Sequence, residues 1–500
     1  MTRARAALTS ATATALALAL LIPRLGRQPG GDRGMEHVSG QTVESPAPPG
    51  VGKPARWLAF GGGADPSSNQ LSMESDLGLA AELLGPGGLL LFAGGPGSDG
   101  VYELSDANPD DPLLVALGEI VSPHGGRDAR FRKTRLAPHG PATREAILEA
   151  LDRELAVRGP PLPIVVACHG DGAAAPRDNG LATWGGDALT VRDLAEVLDR
   201  GSRPTRLLVS ACFSGGLAEL AFVGANPDAG ATPQDRCGLF ASTWDLESTG
   251  CDPDPERRNH EGYSVHVLHA LRGEDREGRP ASVDLDGDGA ISLLEAHTRA
   301  RIDSRGLDVP TTTSERWLRH AAPTDGPAEA LENELLEDEA TIAGLVAKLG
   351  LPRDRTRAEE DTRRRYEELE RRMDELAERE DRATAALEAA RRTVRGELLA
   401  RYPALEDPWH PEFARTLASA RPELAKLAME SPSHMRYLRA RDAADDAADA
   451  SLTVALERAP YERLVRAFDD LELAGRLKHR GGADWKRYLQ FLACERSRLR

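Results

Sequence analysis

Two residues in the middle of the chain, His169 and Cys212, have the types and the placement for nucleophilic catalysis. Each follows an apolar run of strand length, in 163–168 and in 206–211, and each run then breaks into small residues, Gly170 among them. An imidazole beside a thiol favours the reactive thiolate. The backbone N–H groups of Gly170 and Cys212 are suited to a developing oxyanion, as acyl transfer requires. We therefore predict a nucleophile, its base and an oxyanion site.

The stretch between the two runs predicts how these residues come together. Residues 189–198 have helical apolar spacing, with Thr190 as a candidate N-cap. Strand, helix and strand make a βαβ unit, in which the two strands are parallel and adjacent, about 4.8 Å apart. Ligands of open α/β sheets bind beyond the carboxyl ends of the strands. We therefore expect His169 and Cys212 side by side at that edge.

Two other side chains compete for the role of nucleophile. Cys168 precedes His169 in an extended segment, so its side chain is expected on the opposite face of the sheet, as a small core residue. Ser214 lies in C-F-S-G-G, which does not fit the G-x-S-x-G pattern of a serine elbow. The competing interpretation of the whole site is that His169 and Cys212 are unrelated structural residues at strand ends.

At these positions the chain resembles the caspase-like (clan CD) cysteine peptidases, and most closely the legumain or peptidase C13 family. That family has His-Gly after one strand and a small residue followed by cysteine after the next, in this order. Further resemblance lies in 57–63 with Asn69 and Gln70, in 142–147, in 181–184 with 189–194, and in 238–243 with 247–251. The resemblance implies an α/β caspase- or legumain-like three-layer sandwich with a mostly parallel sheet over 55–322. It also implies an endopeptidase that acts on protein or peptide substrates.

The resemblance implies a substrate pocket after the fifth strand, where Ser242, Asp245 and Glu247 lie. Legumains hold an asparagine side chain with an arginine from the loop after strand one, and the corresponding loop here, S-S-N-Q-L-S-M-E, has none. A desolvated carboxylate pairs best with Arg or Lys. We therefore expect a basic residue at the P1 position of the substrate. The competing interpretation is a solvated acidic loop over 225–262.

Residues 284–295, D-L-D-G-D-G-A-I-S-L-L-E, match an EF-hand-type calcium loop. Such a loop binds the ion through alternating carboxylates, one backbone carbonyl and a closing glutamate, around a sharp glycine turn. The predicted Ca²⁺ ligands are Asp284, Asp286, Asp288, Ala290, Ser292 and Glu295. The sequence has no second loop of this kind, so we expect one structural ion within the α/β domain. A metal-free turn rich in Asp and Gly is the alternative.

The charge of the chain argues against nucleic acid as a partner, because 63 Lys and Arg stand against 80 Asp and Glu, a net charge of −17. Residues 1–23 join two arginines to an apolar Ala/Leu run, which predicts a signal peptide or a membrane anchor. Residues 24–54 are rich in Gly, Pro and Ser and predict a flexible linker. We expect export to the periplasm or the extracellular space, with membrane anchoring by the N-terminal segment if it is not cleaved.

The C-terminal third of the chain differs in composition from the rest. Residues 323–500 are predicted to be helical, and 356–401 to form a long charged helix with coiled-coil spacing. That helix either folds back in a hairpin or binds a helical partner or a second copy of the chain. Of the cysteines besides Cys212, Cys237 and Cys251 flank the predicted fifth strand and its loop, and a disulfide between them is the pairing we consider.

Two functions from different classes follow from these patterns. The first is an exported cysteine endopeptidase that works through a Cys-His dyad and holds a calcium ion. The second is a catalytically silent caspase-like module that binds calcium and presents its helical tail. Both His169 and Cys212 are present, which favours the enzyme.

Overall fold

The computed structural model describes residues 54–104, 111–121, 129–255, 259–332, 334–407 and 410–499. The predicted signal peptide or anchor at 1–23 lies outside the described residues, and so does the predicted linker at 24–54 except for its last residue. Among the helices of the described ranges, none combines the length and the apolar character needed to cross a membrane.

Strands of the described chain form one main sheet and two small ones. They are β1 (Leu58–Gly62), β2 (Leu89–Phe92), β3 (Val101–Leu104), β4 (Ala129–Arg132), β5 (Leu162–Cys168), β6 (Gly170–Asp171), β7 (Gly180–Ala182), β8 (Ala188–Thr190), β9 (Thr205–Ser210), β10 (Arg236–Phe240) and β11 (Thr311–Thr312). The main sheet has the order β11-β10-β9-β5-β1-β2. Its neighbours are parallel except β10 and β11, which are antiparallel.

Helices flank this sheet and make up the C-terminal region. They are α1 (Leu71–Leu84), α2 (Pro112–Val121), α3 (Arg144–Leu155), α4 (Val191–Arg200), α5 (Tyr263–Ala270), α6 (Leu293–Asp303), α7 (Thr313–Ala321), α8 (Leu336–Leu349), α9 (Arg355–Arg401), α10 (Phe413–Ser419), α11 (Arg421–Ala425), α12 (Pro432–Arg480) and α13 (Gly482–Glu495). A 3₁₀ helix follows β9 at Ser214–Ala221, and a π-helical segment, Lys426–Glu430, precedes α12.

Alternate residues of the strands contribute to two separate cores, because successive side chains of a strand point to opposite faces. Phe60, Val166 and Cys168 pack with α3 and α4 on one face. Ala59 and Ala167 pack with α1, α5 and α6 on the other. Helices on both faces of a mostly parallel sheet confirm the predicted α/β class and are compatible with a three-layer sandwich. Cys168 lies in the core, 3% exposed, as expected.

The connection between β5 and β9 contains the predicted helix, with a later start. Thr190 is its N-cap: its hydroxyl accepts from the Asp193 N–H, and the Asp193 carboxylate accepts from the Thr190 N–H. This reciprocal arrangement satisfies two donors that a helix start leaves unpaired. The helix begins at Val191 and not at 189 because Ala188–Thr190 pairs with β7 as strand β8.

The C-terminal region is helical, as predicted, and its two longest helices form an antiparallel hairpin. Ion pairs join Arg363 to Asp469 and Arg458 to Glu370 across the two helices. Near the turn of the hairpin, Val394 and Leu398 share a core with helix α2 of the α/β domain. The apolar stripe of 356–401 is thus partly covered from within the chain, and binding of a further partner remains a prediction.

A disulfide joins Cys237 of β10 to Cys494 of α13, which ties the last helix to the main sheet. The pairing of Cys237 with Cys251 considered above is therefore wrong, and Cys251 is a free thiol. The reason is the direction of the strand: Cys237 lies at the start of β10, whereas Cys251 follows its carboxyl end. The length of the strand separates the two sulfur atoms.

Candidate active site

His169 and Cys212 leave the sheet at the same edge of two neighbouring strands. The β5–β9 ladder ends with Ala167 opposite Ser210, and His169 and Cys212 each lie two positions beyond their member of this pair. The two chain segments touch: a Cβ atom on Gly170 would lie 1.9 Å from the Cys212 carbonyl oxygen. Only glycine fits there, so the His-Gly pair of the motif has a steric cause.

The His169 ring is oriented by the loop that follows β1. Its Nε2 atom lies 2.9 Å from the Ser68 carbonyl oxygen and 2.9 Å from Oε1 of Gln70. A carbonyl can only accept, so Nε2 carries the proton and Nδ1 presents its lone pair. Asn69 fixes this loop, since its side chain accepts from the Gly63 N–H and donates to the Gly100 carbonyl. The base of the predicted dyad is therefore Nδ1.

The atom that faces Nδ1 is the sulfur of Cys251, at 3.2 Å. In the described part of the chain no hydrogen bond joins His169 to Cys212. Sequence reasoning missed Cys251 at this position, although it lies in the loop that the resemblance assigns to substrate binding. The available signal was its place shortly after the carboxyl end of β10, at the same edge as the other two residues.

The Cys212 sulfur contacts one residue of the opposite loop, Ser248. Its Sγ lies 3.3 Å from the Ser248 N–H and 3.5 Å from the Ser248 carbonyl oxygen. The following residue, Phe213, has a left-handed backbone (φ 57°), and the 3₁₀ helix starts directly after it. This turn leads the chain away from the sheet and leaves Cys212 half-buried.

Burial keeps the three groups of the site neutral at rest. It raises the pKa of the Cys212 thiol to about 12, with a further contribution from Cys251. It also raises the pKa of Cys251 to about 12 and lowers the pKa of His169. Desolvation is the largest cause of the shift at Cys212, because burial disfavours the charged thiolate. A thiolate therefore forms only if the proton passes to the imidazole or a ligand changes the surroundings.

The predicted pocket residues lie in one loop but differ in exposure. Ser242 is fully buried, and its hydroxyl donates to the Glu247 carbonyl oxygen at 3.0 Å, so it fixes the shape of the loop. Asp245 is exposed and accepts from the Thr243 hydroxyl at 2.8 Å. Glu247 is half-buried, and burial together with Glu380 of helix α9 raises the pKa of its carboxyl. The long C-terminal hairpin thus adds negative charge beside this loop.

The 284–295 loop gathers part of its predicted ligand set. Oxygen atoms of Asp284, Asp286 and Glu295 lie within 4.8 Å of one another, so these three carboxylates fit a hard cation. Gly289 makes the expected turn with a left-handed backbone (φ 81°). Asp288 points elsewhere, with its carboxylate 3.5 Å from Arg498.

Glu295 and the remaining two predicted ligands, Ala290 and Ser292, form hydrogen bonds within the loop and at the start of helix α6. The Glu295 carboxylate accepts from the Leu285 N–H at 2.6 Å and from the Ser292 N–H and hydroxyl at 2.8 Å each. Ser292 is the N-cap of α6, and the Ala290 N–H donates to Asp288. The arrangement suits a divalent cation, and its chemistry does not by itself select calcium.

No protein-family model matches this chain, and no curated protein sequence matches it significantly.

Proposed function

We propose that this protein is a cysteine endopeptidase of the legumain or caspase type, with Cys212 as nucleophile and His169 as base. The observation that carries the proposal is the hydrogen bond of His169 Nε2 to the Ser68 carbonyl, 2.9 Å long. It leaves Nδ1 as the proton acceptor at the edge where Cys212 emerges from the neighbouring strand. An oriented imidazole beside a thiol is the arrangement that thiol proteases require.

In this proposal the proton of Cys212 passes to His169 Nδ1 when a substrate enters. The Cys212 sulfur then attacks the carbonyl carbon of the peptide bond, and the C–N bond breaks as the imidazolium gives its proton to the leaving amine. Water, deprotonated by His169, attacks the resulting thioester, which releases the carboxylic acid and restores the Cys212 thiol. The N–H of Ser248 stabilises the thiolate before attack, since it already donates toward the sulfur at 3.3 Å. Backbone N–H groups of Gly170 and Cys212 are the proposed donors to the oxyanion. Cys251 has to leave Nδ1 for the proton transfer to occur.

The proposed substrate has a basic residue at P1. Glu247 is half-buried, and Glu380 of helix α9 adds negative charge beside it. A carboxylate taken out of water is stabilised by an Arg or Lys side chain and destabilised when unpaired. The competing interpretation leaves Asp245 in solvent, where a single carboxylate discriminates little.

We further propose that residues 284–295 hold one calcium ion through Asp284, Asp286 and Glu295. Bound there, the ion offsets the repulsion among these carboxylates and fixes the start of helix α6. Export of the protein is proposed on the signal-like character of 1–23, and the Cys237–Cys494 disulfide fits an oxidising compartment.

The second candidate function is the catalytically silent module, and one observation favours it. Cys251 and not Cys212 faces the base nitrogen of His169. In that case the site is a structural contact, and the chain functions through binding, with the helical hairpin that includes 356–401 as its surface for a partner or a second copy.

Peptide hydrolysis and labelling by a thiol-directed peptidyl inhibitor distinguish the two functions. Cys212→Ala and His169→Ala should each abolish both signals, since one removes the nucleophile and the other its base. Cys168→Ala is the matched control, because this thiol lies in the core on the opposite face of the sheet. The proposal fails if the wild-type chain neither cleaves a peptide library nor reacts with the inhibitor.

A further inference from the structure

The two sulfur atoms at the site are both held by one short loop. Ser248 contacts the sulfur of Cys212, and the sulfur of Cys251 contacts Nδ1 of His169. Thr249 lies between these two contact points in the sequence. Contacts that hold the backbone of Thr249 therefore fix the positions of both Ser248 beside Cys212 and Cys251 beside His169.

Thr249 is clamped from outside the loop by the segment that follows helix α6. Its N–H donates to the Asp308 carboxylate at 2.9 Å, and its hydroxyl accepts from the Leu307 N–H at 2.8 Å. The fit is close, because a Cβ atom on Gly306 would lie 2.4 Å from the Thr249 hydroxyl oxygen. The two segments thus meet through reciprocal hydrogen bonds with no room for a larger side chain.

Asp308 is fully buried, and each of its oxygen atoms has a partner. Oδ1 accepts from Thr249, and Oδ2 accepts from the Ser304 hydroxyl at 3.3 Å. A buried carboxylate is stable only when such bonds and a nearby cation compensate its desolvation. Burial raises the pKa of the Asp308 carboxyl to about 7, and the hydrogen bond from Thr249 and the charge of Arg463 of helix α12, 1% exposed, oppose that rise.

The segment behind Asp308 is itself fixed by two cations from the C-terminal region. Arg463 donates to the carbonyl oxygens of Arg301 and Ser304. Lys348 of helix α8 donates to three consecutive carbonyls, of which that of Ile302 is nearest at 2.8 Å. Positive charges at the carboxyl end of a helix satisfy its unpaired carbonyls and complement its dipole. The carboxyl end of α6 therefore holds the segment that contains Asp308 in a fixed position.

We infer that Asp308 is a positioning residue of the site: its carboxylate holds the Thr249 N–H, and through it Ser248 at Cys212 and Cys251 at His169. Arg463 of helix α12 holds the segment that contains Asp308, and Asp308 holds the loop of Ser248 and Cys251. The C-terminal helices therefore help to position the candidate site. The catalytic consequence rests on the proposed function, whereas the positioning of the two thiols does not.

Site-resolved alkylation tests this inference without any substrate. The full chain is treated with iodoacetamide, and the modification of each free thiol is followed by peptide mass mapping. In Asp308→Ala the loop loses its anchor, so Cys251 and Cys212 should react at least tenfold faster than in wild type. Asp308→Asn keeps an oxygen that accepts from Thr249, so both rates should stay within threefold. Asp303→Ala is the matched control, because Asp303 pairs with Arg299 and not with the loop.

Cys168 reports the state of the fold in the same experiment, because it becomes reactive only if the core opens. Unchanged rates in Asp308→Ala with Cys168 protected would overturn the inference, and so would an Asp308→Asn rate as high as that of Asp308→Ala. If Asp308→Ala also exposes Cys168, Thr249→Ala decides. This variant removes the hydroxyl that accepts from the Leu307 N–H and packs against Gly306, and it keeps the Thr249 N–H that donates to Asp308. It should raise the Cys251 rate at least threefold while Cys168 stays protected, and no rise would refute the inference.

Turnover, where the chain is a peptidase, gives a second readout. Asp308→Ala should lower kcat at least thirtyfold with KM changed less than threefold, because the Ser248 N–H that stabilises the Cys212 thiolate is no longer held in place. Asp308→Asn should restore most of kcat. A chain without peptidase activity but with the expected alkylation pattern would refute the proposed function and leave the positioning role of Asp308 standing.

Discussion

The sulfur of Cys251 lies 3.2 Å from Nδ1 of His169, and the sulfur of Cys212 instead contacts the backbone of Ser248. The base nitrogen thus has two candidate thiols on two different segments. Desolvation raises the pKa of both thiols to about 12, so neither is a thiolate at rest. If the chain is the proposed peptidase, its activity depends on which of the two thiols gives its proton to His169.

Replacing Cys251 should release the base for Cys212. In Cys251→Ala, Nδ1 of His169 loses its present partner, so the alkylation rate of Cys212 at pH 7 should rise at least threefold, with a parallel rise in kcat/KM. The measurement is peptide mapping after iodoacetamide treatment, and Cys168→Ala should leave the rate unchanged. If Cys251→Ala is inactive while Cys212→Ala cleaves peptides, Cys251 is the nucleophile and our assignment is wrong.

Calcium should stabilise the folded chain through the 284–295 loop. Binding to the folded state alone adds about 2.7 kcal/mol at a hundredfold excess of free ion over Kd. We expect Tm to rise with Ca²⁺ and to fall with a chelator in wild type. In Glu295→Gln, which keeps an acceptor for the helix start but loses a charge, the response should largely disappear. Equal melting curves for wild type with and without calcium would contradict the site.

Substrates with Arg or Lys at P1 should have the highest kcat/KM. The test compares fluorogenic peptides that differ only at P1, with Arg, Lys, Asn or Asp, in wild type, Asp245→Ala and Glu247→Ala. We expect the Glu247 variant to lose more of the preference than the Asp245 variant, because Glu247 is half-buried and Asp245 is exposed. A preference for Asn or Asp would refute the idea, and a basic preference untouched by both variants would remove its proposed cause.

The buried Glu495 should make stability depend on pH. Burial raises the pKa of Glu495 to about 8 in the folded chain, although the Ser314 N–H and hydroxyl donate to it. The folded state then binds more protons than the unfolded state, so this contribution is complete below about pH 4.5 and is lost as pH rises toward 8. The slope approaches about 1.4 kcal/mol per pH unit.

Denaturant unfolding of wild type and Glu495→Gln between pH 5 and 8 measures that slope by difference. Other buried groups, such as His266 and His297, whose pKa values burial lowers to about 4 and about 3, affect both proteins equally. The wild type should lose stability relative to the variant as pH rises. A constant difference across this range would show that Glu495 does not change its protonation there.

The sequence by itself determined the class of the fold and the edge at which the site lies. Apolar runs before His169 and Cys212, with a helical stretch between them, are enough to predict adjacent parallel strands, because a βαβ connection allows little else. The role of Thr190 as a helix N-cap depends on local sequence and was also predicted correctly. The helical character of the C-terminal region follows in the same way from its composition and spacing.

Only the tertiary structure decided which groups meet around the base. The contact of Cys251 with His169, the clamp of Thr249 by Asp308 and the disulfide of Cys237 with Cys494 all join segments far apart in the chain. No local sequence pattern predicts these contacts, since they depend on how distant loops and helices pack against the sheet. For the same reason the sequence alone did not show that burial raises the pKa of the Cys212 thiol.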